Sequence, residues 1–212
     1  MIQPKYTSSE ILDLEKRFRT NLINSLSGFK SANLIGTQNK KEETNLAIFT
    51  SVVHIGANPP LMGFISRPHS VPRHTLENII ETKHFTINHV AEDFIAKAHQ
   101  TAARYSVSEF EATGLKPEFL KDFNAPFVKE AIVKIGLSLV DIIDIKINHT
   151  KMIIGKIEYL ILPDNIIAND GKINIEAAKT VAVSGLDTYH GTEQLARFSY
   201  AKPNEELKQI EI

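Results

Sequence analysis

Two arginines, two histidines and three hydroxyls crowd into ten residues of this chain, Ser66-Arg67-Pro68-His69-Ser70-Val71-Pro72-Arg73-His74-Thr75, directly ahead of a stretch with helical periodicity. A helix N-terminus presents unpaired backbone N–H groups and the positive end of its dipole, both favourable to an anion. Arginine adds a planar fork that grips phosphate through two parallel hydrogen bonds. The chemistry of this segment is therefore phosphate binding. Thr75 also has a purely local role open to it, as the N-cap of the helix that follows.

Other catalytic signatures are missing. No GxxxxGK[ST], GxGxxG, GxSxG or HExxH pattern occurs. Eight histidines raise the question of a metal. Their spacing answers it: His69 and His74, like His84 and His89, stand five apart. That interval shares no helix face and puts strand residues on opposite sides. No metal is expected. The absence of cysteine removes disulfides, iron–sulfur ligation and thiol catalysis together, and is compatible with a reducing cytoplasm.

The elements that must carry the anion cluster read mostly as β. Ser8 or Ser9 can cap a first helix striped by Ile11, Leu12, Leu14 and Phe18. A short turn over residues 21–26 ends at Gly28. Strands are expected over residues 31–37, 44–55 and 61–66, separated by the polar run 39–43 and the break Asn58-Pro59-Pro60. Helical periodicity covers 75–82 and 92–104, with an alternating strand between them at 84–90. Residues 106–120 are irregular with helical turns. Two long strands follow, 133–147 with a bulge near Asp141 and 152–162, joined by a tight turn at Asn148-His149-Thr150. Asn169-Asp170-Gly171-Lys172 is a hairpin turn. The fold class is mainly β with inserted helices, and many strands at short spacing favour a closed antiparallel barrel.

The 212 residues suit one domain. The expected division is an N-terminal helical segment at 1–28, a barrel domain at 29–203 and a C-terminal tail at 204–212. Lys plus Arg number 24 against 25 Asp plus Glu, so a nucleic-acid partner is not expected. No window approaches the roughly 20 apolar residues of a spanning helix, which argues against a membrane. The acidic, amphipathic start lacks the basic n-region of a signal peptide, and a cytoplasmic location is expected.

Four pieces in order carry a resemblance. Thr44-Asn45-Leu46-Ala47-Ile48-Phe49-Thr50-Ser51 is followed by Asn58-Pro59-Pro60-Leu61, by Thr75-Leu76-Glu77-Asn78-Ile79 and by Phe85-Thr86-Ile87-Asn88. Together they are similar to the flavin reductase-like and flavoredoxin family, whose fold is the FMN-binding split β-barrel. The likeness extends to Gly155 and to Phe198-Ser199-Tyr200-Ala201-Lys202-Pro203. Departures include Lys40-Lys41-Glu42-Glu43 where the family often has glycine, and Ile48 where it often has proline.

The resemblance implies an FMN-binding oxidoreductase, with NADH or NADPH as donor and a small molecule or protein as acceptor. It implies that the backbone of Asn45, Leu46, Ala47, Ile48 and Phe49 meets the flavin ring. Thr50, Ser66, Arg67, Arg73 and Thr75 would face the phosphate. Family members are typically homodimers with flavin near the subunit boundary, so Tyr189 and His190 would complete the site. His149, standing where some members carry Gly-Asp-His, would touch the pyridine nucleotide. Two other readings are a non-catalytic flavin or electron carrier and a flavin-free barrel that serves as an interaction module. No side chain is named as catalytic, because hydride transfer to flavin needs no protein acid or base.

Overall fold

The computed structural model describes residues 4–210. Helix α1 (Ser8–Asp13) is capped by Thr7, which sits three residues before Glu10 and forms a reciprocal capping box with it. Ser8 and Ser9 lie inside the helix instead. The single helix expected through Phe18 is broken, because the backbone turns extended at Leu14 and Glu15. Helix α2 (Lys16–Ser25) then starts afresh, with the Glu15 carboxylate accepting the Phe18 amide.

The strands that follow are β1 (Lys30–Ser31), β2 (Asn33–Gln38), β3 (Thr44–Phe49), β4 (Val53–Ala57) and β5 (Pro60–Ser66). Helix α3 (His74–Thr82) leads to β6 (His84–His89), a 3-10 turn, α4 (Ile95–Gln100) and α5 (Glu109–Thr113). Short strands β7 (Pro117–Glu118) and β8 (Phe127–Val128) precede the long pair β9 (Lys134–Ile145) and β10 (Thr150–Ile161). The last strands are β11 (Ala182–Ser184) and β12 (Thr188–His190), which join β1 in a small second sheet.

Seven strands build the main antiparallel sheet in the order β3-β2-β6-β9-β10-β5-β4. Its two end strands, β3 and β4, do not pair, so the barrel is split, as the family resemblance implies, and not closed as strand spacing alone suggests. The expected strand 44–55 divides at the same place. Ser51 takes over the strand's hydrogen bonding there: its hydroxyl accepts from the Ile65 amide and donates to the Ile65 carbonyl. The bulge falls near Asp141, where Val140 is left unmatched between the Leu139–Gly155 and Asp141–Ile154 pairs. At the expected hairpin turn Gly171 has φ 84°, and the Ala168 amide reaches the Lys172 carbonyl at 2.8 Å.

Strand alternation sorts side chains to two faces. Inside the sheet lie Ile35, Phe64, Phe85, Ile87, Leu137 and Ile153, joined by Leu76 and Ile79 of α3. Outside, Leu34, Leu46 and Val90 are covered by Phe94, Ala98 and Phe110. Each such side chain, fully buried, stabilises the fold by about 1.5–3 kcal/mol before entropy is counted. Gly155 belongs to the inside. A Cβ there would stand 2.5 Å from the Phe85 ring and 3.0 Å from Leu137. Packing alone therefore excludes a side chain at this position. Among the described residues no helix is long and apolar enough to cross a membrane.

Two outcomes follow from this packing. Gly155→Ala should destabilise the fold by about 1–3 kcal/mol through overpacking, read as a lower urea midpoint with an unchanged slope. His89 is half-buried with its Nδ1 near the Thr180 hydroxyl, and loss of solvation pushes its pKa down to about 4. The unfolded chain takes up that proton near pH 6.5 and the folded chain does not, so stability should fall as pH drops from 6.5 towards 4. At one pKa unit per 1.36 kcal/mol the loss is about 3 kcal/mol. Urea unfolding at both ends of that range should show His89→Gln with a flatter dependence; an equal slope would assign the acid sensitivity elsewhere.

Candidate functional site

Helix α3 is held to the sheet by a buried polar cluster. Thr37 of β2 and Asn45 of β3 face each other in register. The Asn45 amide donates to Thr37 Oγ1 at 3.3 Å and to Thr75 Oγ1 at 3.0 Å. Asn78 donates to the same Thr37 oxygen at 3.1 Å. All four residues are at least nine-tenths buried. Thr75 is thus not the N-cap. Arg73 occupies that place and makes no side-chain cap bond. Glu77 does the capping from within, accepting the Arg73 amide at 3.0 Å and pairing with His69 Nε2 at 2.7 Å. Those two contacts hold the Glu77 carboxyl below its usual range, the Arg73 amide being the larger cause.

With α3 fixed, the segment 67–73 arches from the end of β5 to the start of the helix. Ser66 is buried, and Arg67 is exposed. Arg73 is half-buried and donates from Nε to the Pro68 carbonyl at 3.2 Å. The Ser51 clip brings the turn that contains Thr50 beside Ile65 and Ser66. Opposite Ser66 in the sheet stands Lys151 of β10, which pairs with Asp144. His149 lies two residues before it, at the β9–β10 turn, with φ 59°. Residues from four separate stretches therefore meet at one end of the barrel: Thr50, Ser66 with Arg67, Arg73, and the His149 turn with Lys151. Lys151 escapes sequence reasoning, because a lone lysine in an apolar strand carries no positional signal until the register is known.

The edge strand β3 presents its own polar groups. The Leu46 amide is taken by the Glu109 carboxylate of α5 at 3.0 Å. It points away from β2, and strand alternation turns the Ile48 amide and carbonyl the same way. Leu46 is buried in the outer cluster, and Ile48 is half-buried against it. Phe49 faces inward and meets Phe64 edge-on at 4.8 Å between ring centres. Ala47, opposite Ile35, shares the inner face. The five expected backbone positions are thus not equivalent, since Glu109 already occupies one of them.

The two late residues separate. Tyr189 packs against the outer cluster that Ile48 borders, and its hydroxyl meets His99 Nδ1 at 2.9 Å. A cleft of about 730 Å³ opens beside this pair, lined by Phe94, Ile95 and Asp187 among others. Burial and the Asp187 charge raise the Tyr189 pKa. His190 projects to the opposite side of β12, where Nε2 meets Ser184 Oγ at 2.8 Å and the ring meets Phe29. Among the described residues no three metal-ligating side chains gather.

The seven-strand split sheet and its α3 cap define a split-barrel protein. Residues 26–175 match the family model described as a flavin reductase like domain. The chain belongs to that family. It is 53% identical to a protein assigned as a flavin reductase with a split-barrel domain from Shewanella frigidimarina NCIMB 400, covering 94% of this chain and 100% of that one with a TM-score of 0.90. A protein of Aquifex aeolicus (strain VF5) is 30% identical over 142 residues, 64% of this chain and 72% of the relative. The fold is shared with flavoredoxin of Desulfovibrio vulgaris (Miyazaki F), at 21% identity over 84% of this chain and 92% of that one, with a TM-score of 0.68. Membership makes this a flavin-related oxidoreductase with a flavin as its cofactor.

The buried cluster gives a test of what Asn45 does. Asn45→Ala would take the donor from the Thr75 hydroxyl and leave Thr37 with Asn78 alone, and should lower stability by about 1–3 kcal/mol. Chemical denaturation without any added flavin is the measurement. No loss there would move Asn45 from scaffold to ligand contact.

Proposed function

We propose that this chain is an FMN-dependent oxidoreductase that takes electrons from NADH or NADPH and passes them to a small-molecule or protein acceptor, working as a cytoplasmic homodimer. The observation that carries this reading is the convergence of Arg67, Arg73, the start of α3 and Lys151 at one barrel end, next to the β3 edge. That end fits a phosphate. Arg67 is exposed and enters none of the ion pairs among the described residues, so its guanidinium is available to an anion. The adjacent β3 edge offers the amide and carbonyl of Ile48, the donor–acceptor pattern a flavin pyrimidine edge requires.

In this reading Arg67 and Arg73 hold the phosphate, with Thr50 and Ser66 beside them. The Asn45–Thr75 contact positions the helix start rather than binding the ligand itself. Ile48 meets the ring edge, and Tyr189 borders it from the outer cluster. His149, at the same barrel end as Ser66, would meet a pyridine nucleotide in this reading. FMN, when bound, supplies hydride acceptance and electron delivery, chemistry that no side chain here provides. FMN is favoured over FAD because the sequence holds one compact anion cluster and no second nucleotide fingerprint.

Absorbance of the purified protein, followed by denaturation and identification of the released flavin, tests the cofactor. A colourless protein that binds no added flavin would leave the interaction-module reading. NAD(P)H oxidation then separates enzyme from carrier. Arg67→Ala should weaken FMN about tenfold to a hundredfold while leaving riboflavin, which lacks phosphate, nearly unchanged. Equal losses for both ligands would show that Arg67 does not read the phosphate.

A further inference from the structure

Hydride transfer to a flavin needs no protein acid, but reduction of an organic acceptor by that flavin does, because the acceptor gains a hydride and a proton. A phenol and an imidazole stand together where such a proton could be delivered. Tyr189 of β12 meets Nδ1 of His99 on α4 through its hydroxyl at 2.9 Å. The two rings lie edge to face, 5.7 Å apart between centres, so each limits the rotation of the other. Tyr189 is half-buried against the outer cluster, whereas His99 is exposed. The pair therefore spans from the packed interior to water. Burial and the Asp187 charge, which raise the Tyr189 pKa, keep the proton on the phenol.

The cleft beside this pair has a volume of about 730 Å³, the size of a small-molecule site. Phe94 and Ile95 give it an apolar wall that belongs to the outer cluster. Ile48 borders the same cluster, so the cleft and the free edge of β3 share a side. Glu92, Asp93 and Asp187 at the rim outnumber Lys97, which favours an uncharged guest over an anionic one.

We infer that this cleft receives an uncharged quinone, with Tyr189 as its proton donor and His99 as the group that returns the proton to Tyr189. The inference rests on the proposed flavin chemistry and names its acceptor. Hydride that came from NADH or NADPH forms an O–H bond at one quinone oxygen, and the flavin returns to its oxidised form. The Tyr189 O–H bond breaks as its proton passes to the other oxygen. The quinone has then gained two electrons and two protons and leaves as a hydroquinone. The phenolate regains a proton from water through His99. A quinone suits a phenol held in one place, because the oxygen that accepts its hydrogen bond is the atom that takes the proton. A conjugated alkene is protonated on carbon, which that hydrogen bond does not reach.

Stopped-flow oxidation of the FMN-loaded, reduced protein tests the step. Tyr189→Phe should lower the ratio of the duroquinone rate to the ferricyanide rate about 100-fold, since ferricyanide takes electrons without protons. His99→Gln can hydrogen-bond the phenol but relays no proton, so it should slow repeated turnover with duroquinone, and added imidazole should restore it. Duroquinone added to the protein without flavin should shift the amide resonances of residues 92–100 and 187–189. An unchanged ratio overturns Tyr189 as the donor. So does an equal loss with both acceptors, which would place Tyr189 on the flavin instead. Shifts confined to another part of the chain overturn the cleft. Reduction of N-ethylmaleimide, a conjugated alkene that no cysteine here can trap, in preference to duroquinone overturns the acceptor class. A chain that binds no flavin overturns the proposed function and the proton transfer with it, and the resonance shifts still decide whether the cleft takes a quinone.

Discussion

Asn45 gives one amide group to two hydroxyls, Thr37 on the neighbouring strand and Thr75 on the following helix, and Asn78 adds a second donor to Thr37. These groups lie out of water, so each unmade bond would cost the full desolvation of a polar atom. That cost fixes the rotation and height of α3 against β2 and β3. The arginine-bearing end of the barrel depends on it. The arch of 67–73 is anchored at one end by β5 and at the other by this helix. Glu77 then organises the arch from inside, by accepting the Arg73 amide and meeting His69.

A second polar arrangement performs the same service on the outer face. Thr86 donates to the Pro126 carbonyl at 2.6 Å, and Asn88 donates to the Leu34 carbonyl while accepting the Val128 amide. The chain around 123–128 is thereby held across β2 and β6. Gly36 lies beneath it, where a Cβ would come within 2.2 Å of the Pro126 oxygen. The asparagines and threonines that punctuate these strands are thus scaffold groups. The residues free to meet a ligand are the ones the scaffold leaves outside: Arg67, the unshared groups of Arg73 and the edge of β3.

Charge is distributed unevenly as a result. Arg67, Arg73 and His74 belong to one barrel end beside the Lys151–Asp144 pair, whereas Glu92, Asp93 and Asp187 rim the cleft beside His99 and Tyr189 together with Lys97. The cleft's paired phenol and imidazole lie next to the outer cluster that also supports Ile48. The two regions meet along β3, so the edge of that strand is the boundary between basic and acidic surface.

The sequence by itself determined the strands of the main sheet, helix α3, the bulge near Asp141, the hairpin turn at Gly171 and the family, because each is written in local periodicity, turn chemistry or an ordered set of short motifs. It also singled out the segment 66–75 by its density of arginine, histidine and hydroxyl groups. It misplaced what depends on partners far along the chain. The role of Thr75 follows from its contact with Asn45, thirty residues away, whereas the break between α1 and α2 is local, set by the extended residues Leu14 and Glu15. Only the tertiary structure placed Lys151 opposite Ser66, spent the Leu46 amide on Glu109 and turned Tyr189 and His190 to opposite sides. Register decides the first, the hydrogen-bonding phase of β3 against β2 the second, and alternation along β12 the third; register is set by packing of the whole sheet rather than by any segment alone.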